Sequence, residues 1–286
     1  MSAAPIHCVQ QLGGAARMLA IIGAWIKLRS ETGDPLIREQ VERGLQLTLG
    51  EAATLSGEDL AVLLPMIEMA LVESADLFHN IAQPAGWAVA DETVLAAMGR
   101  ASSGAFDRIL ALAAERPALA RCLTGRFLDV GTGVGGIALR AAESCPHLTV
   151  EAIDIWEPAL RLARKRIAAS RHGDRILLGN VNISELDTAA RFSLAWLPTM
   201  FLPRSTVCEA VGRIAAASQS GAWLVAALYT IPDDPFAAVI ATLRTLRGGG
   251  EITDTKEIVA LLRRHGYVDV EVDAAAVATF VFGRLP

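Results

Sequence analysis

The stretch Phe127-Leu128-Asp129-Val130-Gly131-Thr132-Gly133-Val134-Gly135-Gly136 decides how the chain folds. An apolar run carrying one acid passes into a glycine-rich turn and then into residues that suit a helix. Glycine adopts the left-handed backbone that such a turn requires and lets a ligand lie against the main chain. The first N–H groups of the following helix are free to meet an anionic or carboxylate-bearing ligand. Taken alone, a GxG run is a weak signal, because a tight strand–helix turn without a ligand has the same spelling. Two acids sharpen it. Asp154 closes the next apolar run, where a carboxylate can accept both hydroxyls of a ribose. Asp129 precedes the first glycine, where its charge would repel a pyrophosphate but suit an ammonium group.

Outward from this turn, residues after Arg126 alternate short apolar runs with amphipathic segments, the pattern of βα units and a parallel sheet. Strands are expected at Arg126–Val130, Thr149–Ile153, Ile176–Leu178, Leu194–Leu197 and Ala222–Tyr229. Helices are expected at 135–144, 157–170, 205–218, 234–246 and 254–265, and Val268–Val272 with Thr279–Gly283 reads as a terminal hairpin. Gly248-Gly249-Gly250 reads as a short flexible loop.

Before residue 120, alanine, leucine and methionine recur at helical spacing with almost no β-branched alternation. One helix is marked by Ser56 and Asp59 as a near capping box, with Pro65 expected to kink it or move its start. Two further helices are expected at 91–99 and 103–114. The expected fold class is therefore α/β: a Rossmann-like sheet with a C-terminal antiparallel hairpin, residues 121–286, after an all-helical domain, residues 1–120.

Composition narrows the function. At 52% hydrophobic and 20% charged, the 286 residues suit a globular chain. A net charge of −5 would repel a nucleic-acid backbone. Four scattered cysteines with no CxxC spacing indicate neither a disulfide framework nor a metal site, and a reducing compartment fits. The N-terminal residues lack a basic n-region, and Leu12–Leu28, interrupted by Arg17, is too short and charged to span a membrane. A cytoplasmic protein that engages neither membrane nor nucleic acid is expected.

The motif residues resemble the class I S-adenosylmethionine-dependent methyltransferases. LDVGTGVGG is similar to that family's first motif, IDIWEPALRLARKR to its second, and RILLGNVNISEL to the segment after its third strand. The resemblance covers about residues 126–230, and the final hairpin by topology. It implies that Asp129, Gly131, Thr132 and Gly133 surround the methionine part of S-adenosylmethionine and that Asp154 holds its ribose. It implies too that Ile155 and Trp156 flank the adenine and that Val181 and Asn182 border it. Asn182 stands where the family usually has an aspartate, and an asparagine carbonyl can accept the same hydrogen bond.

The fourth strand ends Ala195-Trp196-Leu197-Pro198-Thr199-Met200-Phe201, unlike the Asn/Asp-Pro-Pro-aromatic signature of enzymes that methylate exocyclic amines of bases. Trp196, Pro198, Met200 and Phe201, with Trp87, would suit a small hydrophobic acceptor, and Trp196 also borders the cofactor. No general base is identified: His79, Tyr229 and Arg204 are the candidates, each with an ordinary structural role as alternative. Methyl transfer to a small metabolite of natural-product type is the leading expectation, with the N-terminal helices as a lid and homodimer interface. The alternatives are a methyltransferase-like enzyme performing cyclisation, isomerisation or decarboxylation, a nicotinamide-dependent oxidoreductase, and an interaction module with a vestigial turn.

Overall fold

The computed structural model describes residues 3–49 and 56–286, with side chains from residue 14 onward except at 49, 58, 59, 61 and 62. The Asp59 half of the capping box lies outside the described side chains, as do His7 and Cys8. The chain divides into two compact units, Met1–Ala82 and Gln83–Pro286.

The first unit contains α1 (Ala3–Lys27), α2 (Pro35–Leu49) and α3 (Gly57–His79). Ile26, Leu60 and Ile67 form its core, with Ile22, Trp25, Leu63 and Leu64 against them. Lys27 and Glu68 pair across α1 and α3 at 2.9 Å. Pro65 lies inside α3, whose start stays at Gly57. Among the described residues no helix is long and apolar enough to cross a membrane.

The second unit begins with α4 (Glu92–Ala114) and α5 (Pro117–Cys122). Then β1 (Arg126–Val130), α6 (Gly136–Ser144), β2 (Thr149–Asp154), α7 (Glu157–Ala169) and β3 (Ile176–Asn180) follow. The chain continues through β4 (Phe192–Pro198), α8 (Arg204–Ala217), β5 (Ser218–Tyr229), α9 (Pro235–Arg247) and α10 (Thr255–Arg264). It ends in β6 (Val268–Ala274) and β7 (Ala278–Arg284). The seven strands form one sheet ordered β3-β2-β1-β4-β5-β7-β6. β1 to β5 run parallel, and β7 pairs antiparallel with both β5 and β6. This is the Rossmann-like sheet and terminal hairpin that the pattern predicts.

The change from helices to βα alternation falls near residue 120, yet the compact units divide at residues 82 and 83. The reason is α4, whose Phe106, Ile109 and Leu112 are buried in the core with Phe127 of β1 and Phe280 and Phe282 of β7. α4 is also one helix where the sequence predicts two. Asp91 caps it through Thr93 N (2.8 Å) and Val94 N (3.0 Å). Ser102 and Ser103 satisfy their hydroxyls on the carbonyls of Gly99 and Arg100, so these polar residues do not break the helix. α4 crosses α6 where a Cβ on Gly136 would collide with the Gly99 carbonyl. Farther along, Arg108 donates to the Asp273 carboxylate (2.6 Å) and to the Ala278 carbonyl, with its guanidinium 4.2 Å from the Phe280 ring centre.

Candidate functional site

Past the end of β1, Gly131, Gly133 and Gly135 take φ of +64°, +55° and +76°. A side chain at any of them is strained by its clash with the following carbonyl. A Cβ on Gly131 would stand 3.3 Å from Pro198 Cγ, whereas one on Gly133 would meet nothing within 4 Å. Gly133 therefore leaves room for a ligand against the main chain.

Two carboxyls organise this turn. Asp129 is 0% exposed. Thr132 Oγ1 donates to Asp129 Oδ2 at 2.6 Å, and Asp129 Oδ1 has no hydrogen-bond partner. Burial pushes the Asp129 carboxyl up to about 7; the Thr132 hydrogen bond opposes this and the Asp154 charge adds to it.

Asp154, half-buried at the end of β2, accepts from Gly133 N through Oδ2 at 2.7 Å and from Trp156 N through Oδ1 at 2.8 Å. Its carbonyl accepts from Val181 N at 3.1 Å, and the Ile153 carbonyl accepts from Thr132 N at 3.0 Å. The glycine turn, the end of β2 and the exit from β3 thus meet at one point. Each Asp154 oxygen retains acceptor capacity for a ligand hydroxyl.

The remaining expected residues are distributed over the second unit and the first. Ile155 is 63% exposed beside Asp154, and exposed Asn182 caps the next turn through its Oδ1 on Ser184 N at 3.1 Å. Trp156 donates through its Nε1 to the Val89 carbonyl at 2.6 Å and joins the apolar cluster that holds Val134 and Trp87. Trp196 pairs in register with Asp129 and packs edge-on to Phe280 at 5.2 Å within the core, where Met200 is also buried. Phe201 joins two partners instead: Trp87 at 5.5 Å and Tyr229 at 5.9 Å, both edge-to-face. These three rings form a continuous aromatic wall, and Pro198, three residues before Phe201, is the side chain that a Cβ on Gly131 would meet.

Arg204 is committed elsewhere, to Glu257 at 3.0 Å and, through its N–H, to Glu251 at 3.2 Å. His79 belongs to the first unit, edge-on to Phe78 at 5.1 Å. The loop at Gly248-Gly249-Gly250 is packed, not flexible. A Cβ on Gly248 would stand 2.6 Å from the Phe201 ring, one on Gly250 would collide with the Met200 carbonyl, and Gly249 has φ +83°. Gly86 N also donates to the Leu246 carbonyl at 3.1 Å, which braces the wall from behind. Sequence reading missed this brace and Thr199, whose buried hydroxyl donates to the Ala227 carbonyl at 2.7 Å. A run of three glycines is the signal that could have found the brace. A cavity of about 520 Å³, lined by Arg121, Ser193, Gln219 and Arg284 among others, lies at the opposite ends of the strands and not at the turn.

Residues 127–221 match the family model of a methyltransferase domain. A curated relative, the tRNA1(Val) (adenine(37)-N6)-methyltransferase of Vibrio campbellii, is 33% identical over 67 residues, which make up 23% of this chain and 28% of that protein. The aligned part thus spans well under two thirds of that relative. An O-methyltransferase family protein from Burkholderia thailandensis has a similar structure, with TM-score 0.63 at 18% identity over 100% of this chain and 98% of that one. Human N-acetylserotonin methyltransferase, solved in complex with S-adenosylmethionine, gives TM-score 0.57 at 13% identity over 100% of this chain and 99% of that one. At such identities these two likenesses speak for the fold, while the family model speaks for the motif residues. Fold, turn and motif agree, and residues 127–221 are similar to a methyltransferase domain.

Proposed function

We propose that the protein transfers a methyl group from S-adenosylmethionine to a small, largely apolar acceptor of natural-product type. The observation that carries this reading is the unpaired, fully buried Asp129 Oδ1 beside a glycine turn with room at Gly133. A buried acceptor without a donor is costly, and an ammonium group is a donor of the right charge. The Asp154 oxygens suit the vicinal hydroxyls of a ribose, and no phosphate is needed to satisfy the turn. On these grounds the residues fit the cofactor. Asp129, Thr132 and the turn would hold its amino-acid end, Asp154 its ribose, and Ile155, Val181 and Asn182 its base.

Bound S-adenosylmethionine supplies a methyl group activated by a sulfonium for in-line displacement. The chain's contribution is placement: fixing both reactants in line can supply much of the rate without a base when the nucleophile has no proton to lose. For the acceptor, the Trp87–Phe201–Tyr229 wall offers large, rigid apolar area. Tyr229 carries the hydroxyl of that wall and is the candidate to orient the acceptor. The net charge of −5 and the Leu197-Pro198-Thr199-Met200 strand end favour a small molecule over a nucleic acid.

Homodimerisation through the first unit is part of the same proposal. Leu36, Ile37, Leu47, Phe78 and Ile81 are each more than half exposed there, more apolar surface than a small helical unit ordinarily leaves to water. Sedimentation equilibrium would test this, a monomer at all concentrations refuting it.

Calorimetric titration with S-adenosylmethionine, S-adenosylhomocysteine and NAD tests the cofactor. Binding of the first two without NAD is expected; binding of NAD alone would overturn the reading. Methylated products from a panel of phenols and amines would then separate methyl transfer from a non-methylating use of the cofactor.

A further inference from the structure

Asp129 and Thr132 stand three residues apart, at the end of a strand and inside a turn, and face each other within the protein. The Thr132 hydroxyl occupies one oxygen of the carboxyl, Oδ2, at 2.6 Å, and the other has no donor. Thr132 is itself buried at 7% exposure, so water does not compete freely for its hydroxyl.

The groups facing Asp129 from the neighbouring elements are few. β2 contributes Asp154, a like charge, whereas its Glu151, in register with Leu128 on the other face of the sheet, is tied to Arg191 at 2.8 Å. β4 has no titratable side chain among Phe192–Pro198. α6 contributes the Ala138 N–H, while its Arg140 pairs with Glu143 and with Asp107. On α7, Arg166 spends one N–H on the Val134 carbonyl at 2.9 Å. No cation pairs with Asp129 among the described residues.

We infer that Thr132 is a positioning residue that holds the Asp129 carboxyl with Oδ1 left open for an ammonium donor, so that ligand binding drives a proton off Asp129. The inference rests on the proposed cofactor reading and deepens it. In the step, the Asp129 O–H bond breaks and its electron pair stays on the carboxylate. The proton leaves to the buffer, and the ligand's ammonium keeps its own protons while donating a hydrogen bond to Oδ1. A carboxyl buried beside another carboxylate favours its neutral form until a cation arrives. Binding below neutrality therefore has to expel the proton, and affinity rises with pH until the free protein is already ionised.

The test is calorimetric titration of the full chain with S-adenosylhomocysteine, which carries the ammonium but no transferable methyl, in two buffers of different ionisation enthalpy. With the carboxyl pushed up to about 7, release of most of a proton at pH 6.0 is expected, falling as the pH rises to 7.5. Thr132→Val should bind several-fold more weakly at pH 7 and release more proton at pH 7.5, because the hydroxyl that favours the carboxylate is gone. Thr132→Ser should restore the original pH profile, which a purely structural role for the threonine methyl would not. Asp129→Asn should show affinity independent of pH between 6.0 and 7.5 with no proton release.

Identical heats in both buffers at pH 6.0, or a Thr132→Val profile superimposing on that of the original protein, would overturn the inference while leaving the cofactor reading standing. Absence of S-adenosylhomocysteine binding at every pH would overturn both.

Discussion

Asp154 holds the glycine turn by its backbone: its Oδ2 accepts the Gly133 N–H at 2.7 Å, while its Oδ1 takes that of Trp156 at 2.8 Å. The residue proposed to hold a ribose is thus also the peg that fixes the loop along which the cofactor would lie. Asp154→Ala removes both functions and should weaken S-adenosylhomocysteine binding by about 2–4 kcal/mol, roughly thirtyfold to a thousandfold. Unchanged affinity by calorimetry would remove Asp154 from the site.

Gly133 separates room from strain. Gly133→Val should abolish cofactor binding, because its side chain enters the open space beside the turn, at a stability cost of about 1–2 kcal/mol from its φ of +55°. Thermal denaturation would report the small loss and calorimetry the large one. Retained binding would contradict the assignment of this space to the ligand.

The crossing of α4 and α6 tolerates no side chain. Gly136→Ala drives a methyl group into the Gly99 carbonyl and Ser102, and a destabilisation of about 1–3 kcal/mol is expected. Gly104→Ala on α4 meets nothing within 4 Å and should instead stabilise by about 0.5–1 kcal/mol through helix propensity. Urea denaturation of the two variants should give shifts of opposite sign.

The Asp129 carboxyl makes stability depend on pH. Its folded-state value is raised to about 7 from the ordinary carboxylate value of 3.8, so the folded state binds the proton more tightly than the unfolded chain. The corresponding stability is present in full below about pH 4, declines as pH rises, and is gone above about pH 7. Asp129→Asn cannot lose a proton and should flatten the ligand-free stability between pH 5 and 8, making the variant the more stable protein at pH 8. Thermal melts at the two pH values check the sign.

Arg108→Lys tests the grip on the hairpin. A lysine retains the charge but not the fork that serves Asp273 and the Ala278 carbonyl together, so most of the loss of about 1–3 kcal/mol expected for Arg108→Ala should persist. A fully stable Arg108→Lys variant would reduce the contact to simple charge pairing.

Much of this architecture is legible in the sequence because it is local. The span Phe127–Gly136 spells strand, turn and helix within ten residues, and the strand cores at Thr149 and Ala222 announce themselves by apolar runs. Asp154 is legible because it closes the strand that follows the glycine turn, where a carboxylate can hold a ribose. Other features depend on contacts made across the fold. The seam of α4 at Gly99–Ser103 reads as a break until Gly136 is seen to require a small neighbour there. Gly248–Gly250 reads as slack until Phe201 and the Met200 carbonyl are found against it. The direction of Trp156, set by the distant Val89 carbonyl, has no signature in its own neighbourhood. Thr132 is an intermediate case: its place in the motif is visible, but its bond to Asp129 exists only because the left-handed glycines fold the chain back on itself.

The contacts of α4 make its length a fixed dimension of the molecule. Gly99 faces α6, and Arg108 clasps the terminal hairpin. Nine residues amount to about two and a half helical turns, so the two contacts lie on opposite sides of one rod. Inserting or deleting a single residue between them would rotate one contact by about 100° relative to the other. Such a frame slip would leave composition and helix propensity almost untouched, yet would disengage either the helix that follows the glycine turn or the hairpin at the edge of the sheet. Chain length between positions 99 and 108 is accordingly as much a part of the site's specification as the identity of any residue in it.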